Sequence, residues 1–192
     1  MANTTICGID FDQFVLDMEA FHGGRAPGIV VGGLMIEAAI MEVAETPDLT
    51  VVVETYNCLP DAAQVLTHCT IGNGGLIVYD WGKFALSALD KKTRAGVRTH
   101  LVMEAVAARP LIDHWFNPSR YSGNRPAFEV LAHELMAARS ELIGMKGITM
   151  KQSEKSGQKK KTALCPDCGE SYFLKCGSRC SACQGMAYFE YT

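Results

Sequence analysis

The 192-residue sequence lacks most of the features that assign a chain to a compartment or a cofactor at sight. No basic stretch followed by an apolar one stands at its start, so no secretory signal is expected. Its longest charge-free apolar run near the front, residues 26–36, is too short to span a bilayer and ends at Glu37. There is no G-K-[ST], which excludes a P-loop. The glycine-rich stretch FHGGRAPGIVVGGLMIE has neither a preceding strand nor the G-x-G-x-x-G spacing of a dinucleotide site. No internal repeat, Ser-His-Asp order or iron–sulfur cysteine spacing is present. What remains is the expectation of a cytoplasmic globular protein without a membrane span. The apolar fraction of 48% and charged fraction of 20% are ordinary for such a chain.

Charge and cysteine are unevenly spread. Residues 1–150 carry 11 Lys and Arg against 17 Asp and Glu, a net −6, whereas residues 151–192 carry 7 against 4, a net +3. Cys7, Cys58 and Cys69 are scattered through the front, while Cys165, Cys168, Cys176, Cys180 and Cys183 crowd the tail. A basic, cysteine-rich tail on an acidic body points to a separate module. The expected division is a body over 1–150, a charged linker over 151–162 (KQSEKSGQKKKT), and a tail module over 163–192.

Within the body, IDFDQFVLDMEAFHG has apolar residues at helical spacing and Asp10 or Asp12 to cap it. Pro27 suits the first turn of a second helix running to about Glu45. LTVVVETYN is strand-like, CLPDAAQVLTHC is a short helix with Pro60 in its first turn, and IGNGG is a turn. GLIVYDWGKFALSALD reads as two strands meeting near Asp80–Gly82, and AGVRTHLVME as a third. NRPAFEVLAHELMAARSELIG is a helix with Phe128, Leu131, Leu135, Ala138 and Leu142 as its apolar stripe. The order predicts an α+β body with a mainly antiparallel sheet.

The tail carries the strongest chemical signal. Cys165-x2-Cys168 and Cys180-x2-Cys183 are two knuckles separated by eleven residues. Each presents two thiolates, and together they supply the four ligands that tetrahedral Zn²⁺ takes. Four cysteines leave no open coordination position, so the zinc is structural. So short a module cannot bury much core, and zinc would supply folding energy on the order of 10 kcal/mol. Cys176 fits neither knuckle and is read as a bystander. Lys159, Lys160, Lys161, Lys175 and Arg179 are suited to phosphates, but a solvated linker is the preferred reading of an overall acidic chain.

In the glycine-rich stretch, Gly28, Gly32 and Gly33 suit close helix packing, within the chain or across a dimer. Cys58 stands just before a helix start, where the helix dipole favours a thiolate. Asp61 is placed to cap that helix or to orient a neighbour. Cys69 lies past the other end, roughly 13 Å away along a continuous helix. A metal shared by Cys58 and Cys69 would therefore need two chains, which favours a site at a homodimer interface. His22 is a ligand or general base; His68, beside Cys69, is a spare ligand.

FHGGRAPGIVVGGLM resembles the opening signature of the family of FmdE, a component of formylmethanofuran dehydrogenase, HGHxCPGxxxGxRM. ETYNCLPDAAQVLTHCTIGNGGLIVYDWGKFAL resembles the same family's E-x-x-x-C-x-x-D-A-x-Q-x-x-T-x-C-T-x-G-N…YGK-A signature. The resemblance covers roughly residues 10–145. His22, Cys58, Asp61, Gln64, Cys69, Asn73 and Lys83 match the family pattern, with Arg25 beside them. Gly24 and Ala26 stand where the family has a second His and a Cys. The resemblance implies a pocket in which Cys58 and His22 act as ligand, nucleophile or base and Lys83 holds a small anion. It also implies a second metal in the body, which the exchanges at Gly24 and Ala26 disfavour. Molybdenum or tungsten oxidoreductases of one-carbon metabolism are the implied partners. The competing reading is a non-catalytic ligand-sensing protein whose basic zinc module touches nucleic acid or a protein.

Overall fold

The structure, a computed structural model, describes residues 5–43, 48–151 and 161–190. The linker residues 152–160 and Glu45, where the second helix was expected to end, lie outside the described residues. The chain divides into two compact units, Met1–Lys151 and Gln152–Thr192.

The first unit opens with a small hairpin, β1 (Thr5–Ile6) and β2 (Ile9–Asp10), and α1 (Phe11–His22) follows at once. Asp10 caps α1 by accepting from Asp12 N–H at 3.0 Å, and Gly23 closes it in the left-handed conformation. The chain turns by 116° into α2 (Pro27–Glu42), with Pro27 in its first turn. Among the described residues no single helix is long and apolar enough to cross a membrane. The helix α2 is instead the centre of the body: Ile29, Val30, Val31, Met35, Ile36 and Ala39 are all buried.

A five-stranded sheet packs against α2. Its strands are β3 (Leu49–Val53), β4 (Leu76–Val78), β5 (Ala85–Asp90), β6 (Ala95–Leu101) and β7 (Ile143–Thr149), in the order β4-β3-β5-β6-β7. Three of its four neighbour pairs are antiparallel, and β3–β4 is parallel. The unit is therefore α+β with a mainly antiparallel sheet. The strands β4 and β5 do not pair with each other: β3 lies between them, and α3 (Leu59–Thr67) provides the crossover that the parallel β3–β4 pair needs. Two short helices, α4 (Met103–Ala107) and α5 (Pro110–Phe116), precede α6 (Phe128–Leu142). The stripe of α6 is buried at Leu131, Leu135, Ala138 and Leu142, with Ala132 added and Phe128 half-buried.

The glycines of α2 explain how closely the helices approach. A Cβ at Gly32 would stand 2.8 Å from the Ala62 Cβ of α3, and one at Gly33 would stand 2.8 Å from the Phe14 ring of α1. Both contacts lie within one chain. On the sheet, Glu54 is almost fully buried and accepts a two-pronged hydrogen bond from Arg98, at 2.6 and 2.7 Å. Such a fork satisfies both carboxylate oxygens, which a buried charge requires.

The second unit holds a two-stranded antiparallel hairpin, β8 (Thr162–Leu164) and β9 (Ser171–Phe173), followed by short helical turns at Leu174–Cys176 and Ala182–Gln184. Thr162, placed at the end of the linker by composition, is already in β8.

Candidate functional sites

The four tail cysteines converge. One sulfur from each of Cys165, Cys168, Cys180 and Cys183 lies within 4.8 Å of the others. The first knuckle follows β8, with Gly169 in the left-handed conformation closing it, and the second runs into the turn at Ala182–Gln184, which contains Cys183. Backbone N–H groups point at the sulfurs: Cys180 N–H donates to Cys165 Sγ and Cys183 N–H to Cys180 Sγ, each at 3.4 Å. Backbone N–H groups of Cys168 and Cys180 lower Cys165 to about 6, so one thiolate is available near neutral pH. A donor set of four thiols with amides aimed at them fits a tetrahedral soft-ligand metal. Cys176 is outside this group; its carbonyl accepts from Gln184 at 2.7 Å. Arg179 is paired with Asp167 at 2.7 Å, which removes one of the cations offered to phosphate.

In the body, three helix ends meet. His22 at the end of α1, Gly28 at the start of α2, and Cys58 and Asp61 at the start of α3 are brought together. His22 Nδ1 lies 2.6 Å from Asp61 Oδ2, joining residues 39 apart in sequence. Both side chains are partly exposed. Asp61 thus orients a neighbour rather than capping α3, whose start has no side-chain cap. With its proton on Nδ1, His22 donates to Asp61 and keeps the Nε2 lone pair for a proton or ligand.

Cys58 is held in a costly conformation. Its φ is +53°, in the region that side chains avoid, and Leu59 N–H folds back onto Asn57 O at 2.5 Å. The sulfur rests on the bare backbone of Gly28, where an added Cβ would stand 2.7 Å from Sγ. The Phe84 ring closes the same spot at 3.4 Å, and it meets Trp115 and Phe116 edge-on, with centroids at 6.3 and 6.1 Å. Burial first, and the charge of Asp61 second, push the Cys58 thiol up from its ordinary value. Both effects oppose the thiolate expected from the helix start, so Cys58 is a protonated thiol at neutral pH.

The other matched residues divide by position. Gln64 lies one turn beyond Asp61 on α3 and is half-buried. Lys83 sits with its Nζ 5.8 Å from the centroid of Trp81, which stacks on Tyr79. Arg25 bridges Glu19 of α1 and Glu129 of α6. Cys69 and Asn73 lie past the far end of the unbroken α3. Cys69 is buried with its sulfur 3.5 Å from Leu49 O. Asn73 holds the loop before β4, accepting from Thr70 and Gly75 N–H and donating to His68 O. His68 is exposed in the left-handed conformation that ends α3. Among the described residues, the tail cysteines are the group of three or more metal-type donors; His22, Cys58 and Asp61 do not form such a group. The aromatic wall of Phe84, Trp115 and Phe116 has no periodic or spacing signal in the sequence.

A compact α+β body followed by a four-cysteine finger defines the class of protein. Residues 21–146 match the family described as FmdE, Molybdenum formylmethanofuran dehydrogenase operon, and residues 156–190 match the FmdE treble clef zinc finger. This chain belongs to the FmdE family. The structure is similar to that of a tungsten formylmethanofuran dehydrogenase FmdE-like protein from Syntrophus aciditrophicus, with a TM-score of 0.84 and 34% identity. That similarity covers 99% of this chain and 100% of the other. The chain is also 36% identical over 104 residues to a probable S-adenosyl-L-methionine-binding protein from Archaeoglobus fulgidus. The match takes in 49% of this chain and only 28% of that relative's length.

Proposed function

We propose that this chain is an accessory protein to molybdenum- or tungsten-dependent enzymes of one-carbon metabolism. Its tail holds a structural zinc, and its body holds a small anionic ligand at His22, Asp61 and Cys58. The observation that carries the reading is the 2.6 Å contact between His22 and Asp61. It fixes one imidazole nitrogen and leaves the other to accept a proton or, once protonated, to pair with an anion. Cys58, protonated and held against Gly28, gives the site a weak donor and a soft face. Family membership supports the one-carbon setting, and the four-thiol donor set supports zinc in the tail.

A second reading is favoured by the Archaeoglobus relative: the body takes S-adenosylmethionine. One titration separates the two. In the first reading, formate shifts the His22 ring proton signals saturably by NMR, and Asp61→Asn weakens binding. If formate leaves those signals unmoved while S-adenosylmethionine shifts them, the second reading replaces the first.

A further inference from the structure

Two aromatic rings of the body stand open to solvent although they are held in place. Tyr79 and Trp81 follow directly on β4 and stack on each other, with centroids 5.6 Å apart and planes within 15°. Trp81 is nonetheless 60% exposed and Tyr79 36%. An indole is mostly buried in folded proteins, and Trp81 is not part of the body's apolar core.

The backbone clamps this pair to the end of β3. Tyr79 N–H donates to Val53 O at 2.9 Å, Trp81 N–H to Glu54 O at 3.1 Å, and Lys83 N–H to the same Glu54 carbonyl at 3.1 Å. Gly82 makes the turn between Trp81 and Lys83 at a φ of +65°. Lys83 Nζ stands 5.8 Å from the Trp81 centroid, the outer limit of a cation–π contact, so the ammonium leaves most of the ring uncovered. Among the described residues no carboxylate forms an ion pair with Lys83. The Glu54 side chain, whose backbone carbonyl anchors the segment, is committed to Arg98 through both oxygens. A fixed aromatic face beside an unpaired ammonium suits a planar ring that carries an anion: the ring stacks, and lysine takes phosphate as a point charge.

We propose that Tyr79, Trp81 and Lys83 form a binding site for a mononucleotide, with the base stacked on the aromatic pair and the phosphate paired with the Lys83 ammonium. The flexible four-carbon stem of Lys83 lets its charge follow a phosphate set off from the base by a sugar. Charge selects a single nucleotide over a strand. Residues 1–150 carry a net −6, and the site offers one cation, so each further phosphate would meet repulsion without a counter-charge. The inference is independent of what the His22 site binds.

The test uses the zinc-loaded full chain and AMP as the probe. Saturable binding by calorimetry is expected, with the adenine ring protons moved upfield by the indole in NMR spectra. Trp81→Ala is expected to weaken AMP binding at least about tenfold, and Trp81→Phe less, because it keeps an aromatic face. Lys83→Gln is expected to weaken AMP while leaving adenosine unchanged. Circular dichroism melting checks that each variant still folds. Absence of saturable binding of AMP, UMP and flavin mononucleotide up to about 5 mM overturns the proposal. So does a Trp81→Ala chain that binds AMP as tightly as the parent, or a Lys83→Gln chain that loses adenosine as much as AMP. A short oligoadenylate bound at least about tenfold more tightly than AMP overturns it in favour of a strand-binding surface.

Discussion

At the scale of the residue, the site depends on what is missing from Gly28. Its absent Cβ is the space that the Cys58 sulfur and the Phe84 ring occupy. Gly28→Ala is expected to destabilise the body by about 1–3 kcal/mol, as overpacking does, and to move Cys58. Chemical denaturation with a fluorescence readout measures the first, and the alkylation rate of Cys58 the second. In the parent, burial and Asp61 keep that thiol protonated, so alkylation at pH 8 is expected to be slower than for an unhindered peptide thiol. It should accelerate only above the ordinary thiol range, and Asp61→Asn should shift its profile to lower pH. Rapid labelling of Cys58 at pH 7, mapped by mass, would contradict this. A second thiol yields a stability prediction with a definite sign. Burial beside Glu37 raises Cys7 from 9.0 to about 12 in the folded chain. Its contribution is fully present below pH 9 and is lost as pH rises from there toward 12. Cys7→Ala should flatten the alkaline fall in melting temperature over that window.

At the scale of the element, most of the helices were legible because their signals are local. Asp10 caps α1, Pro27 opens α2, and the stripe of α6 repeats at helical spacing. Strand pairing was less legible. The DWGK segment has the look of a hairpin turn, yet β3 inserts between the strands it joins, because pairing is chosen by long-range burial rather than by the turn. The short helices α4 and α5 and the strand β7 carried no pattern strong enough to announce them. The site was half legible: His22, Cys58 and Asp61 converge, whereas Cys69 and Asn73, contiguous with them in the motif, are sent past the far end of α3. A motif records sequence neighbours, and a helix of nine residues separates them by roughly 13 Å. The buried Glu54–Arg98 fork links the end of β3 to β6 and was not visible from spacing at all. Arg98→Ala leaves Glu54 as a buried carboxylate without its partner and is expected to cost about 3 kcal/mol or more by urea unfolding. Replacing both residues together should recover part of that loss; an equal or larger loss in the double variant would show that the fork is not the coupling.

At the scale of the whole molecule, two units divide the chemistry. The tail concentrates metal-type ligands, and among the described residues it has no extended core, while the body carries a continuous apolar core and a site built from an imidazole, a carboxylate and a thiol. Metal content of the full chain, by elemental analysis after chelator-free purification, tests this division most directly. One zinc per chain is expected, lost on Cys180→Ser and retained in Cys176→Ser, His22→Ala and Cys58→Ser. A chain without zinc, or a further metal that disappears with His22→Ala or Cys58→Ser, would contradict it and make the body a metal centre.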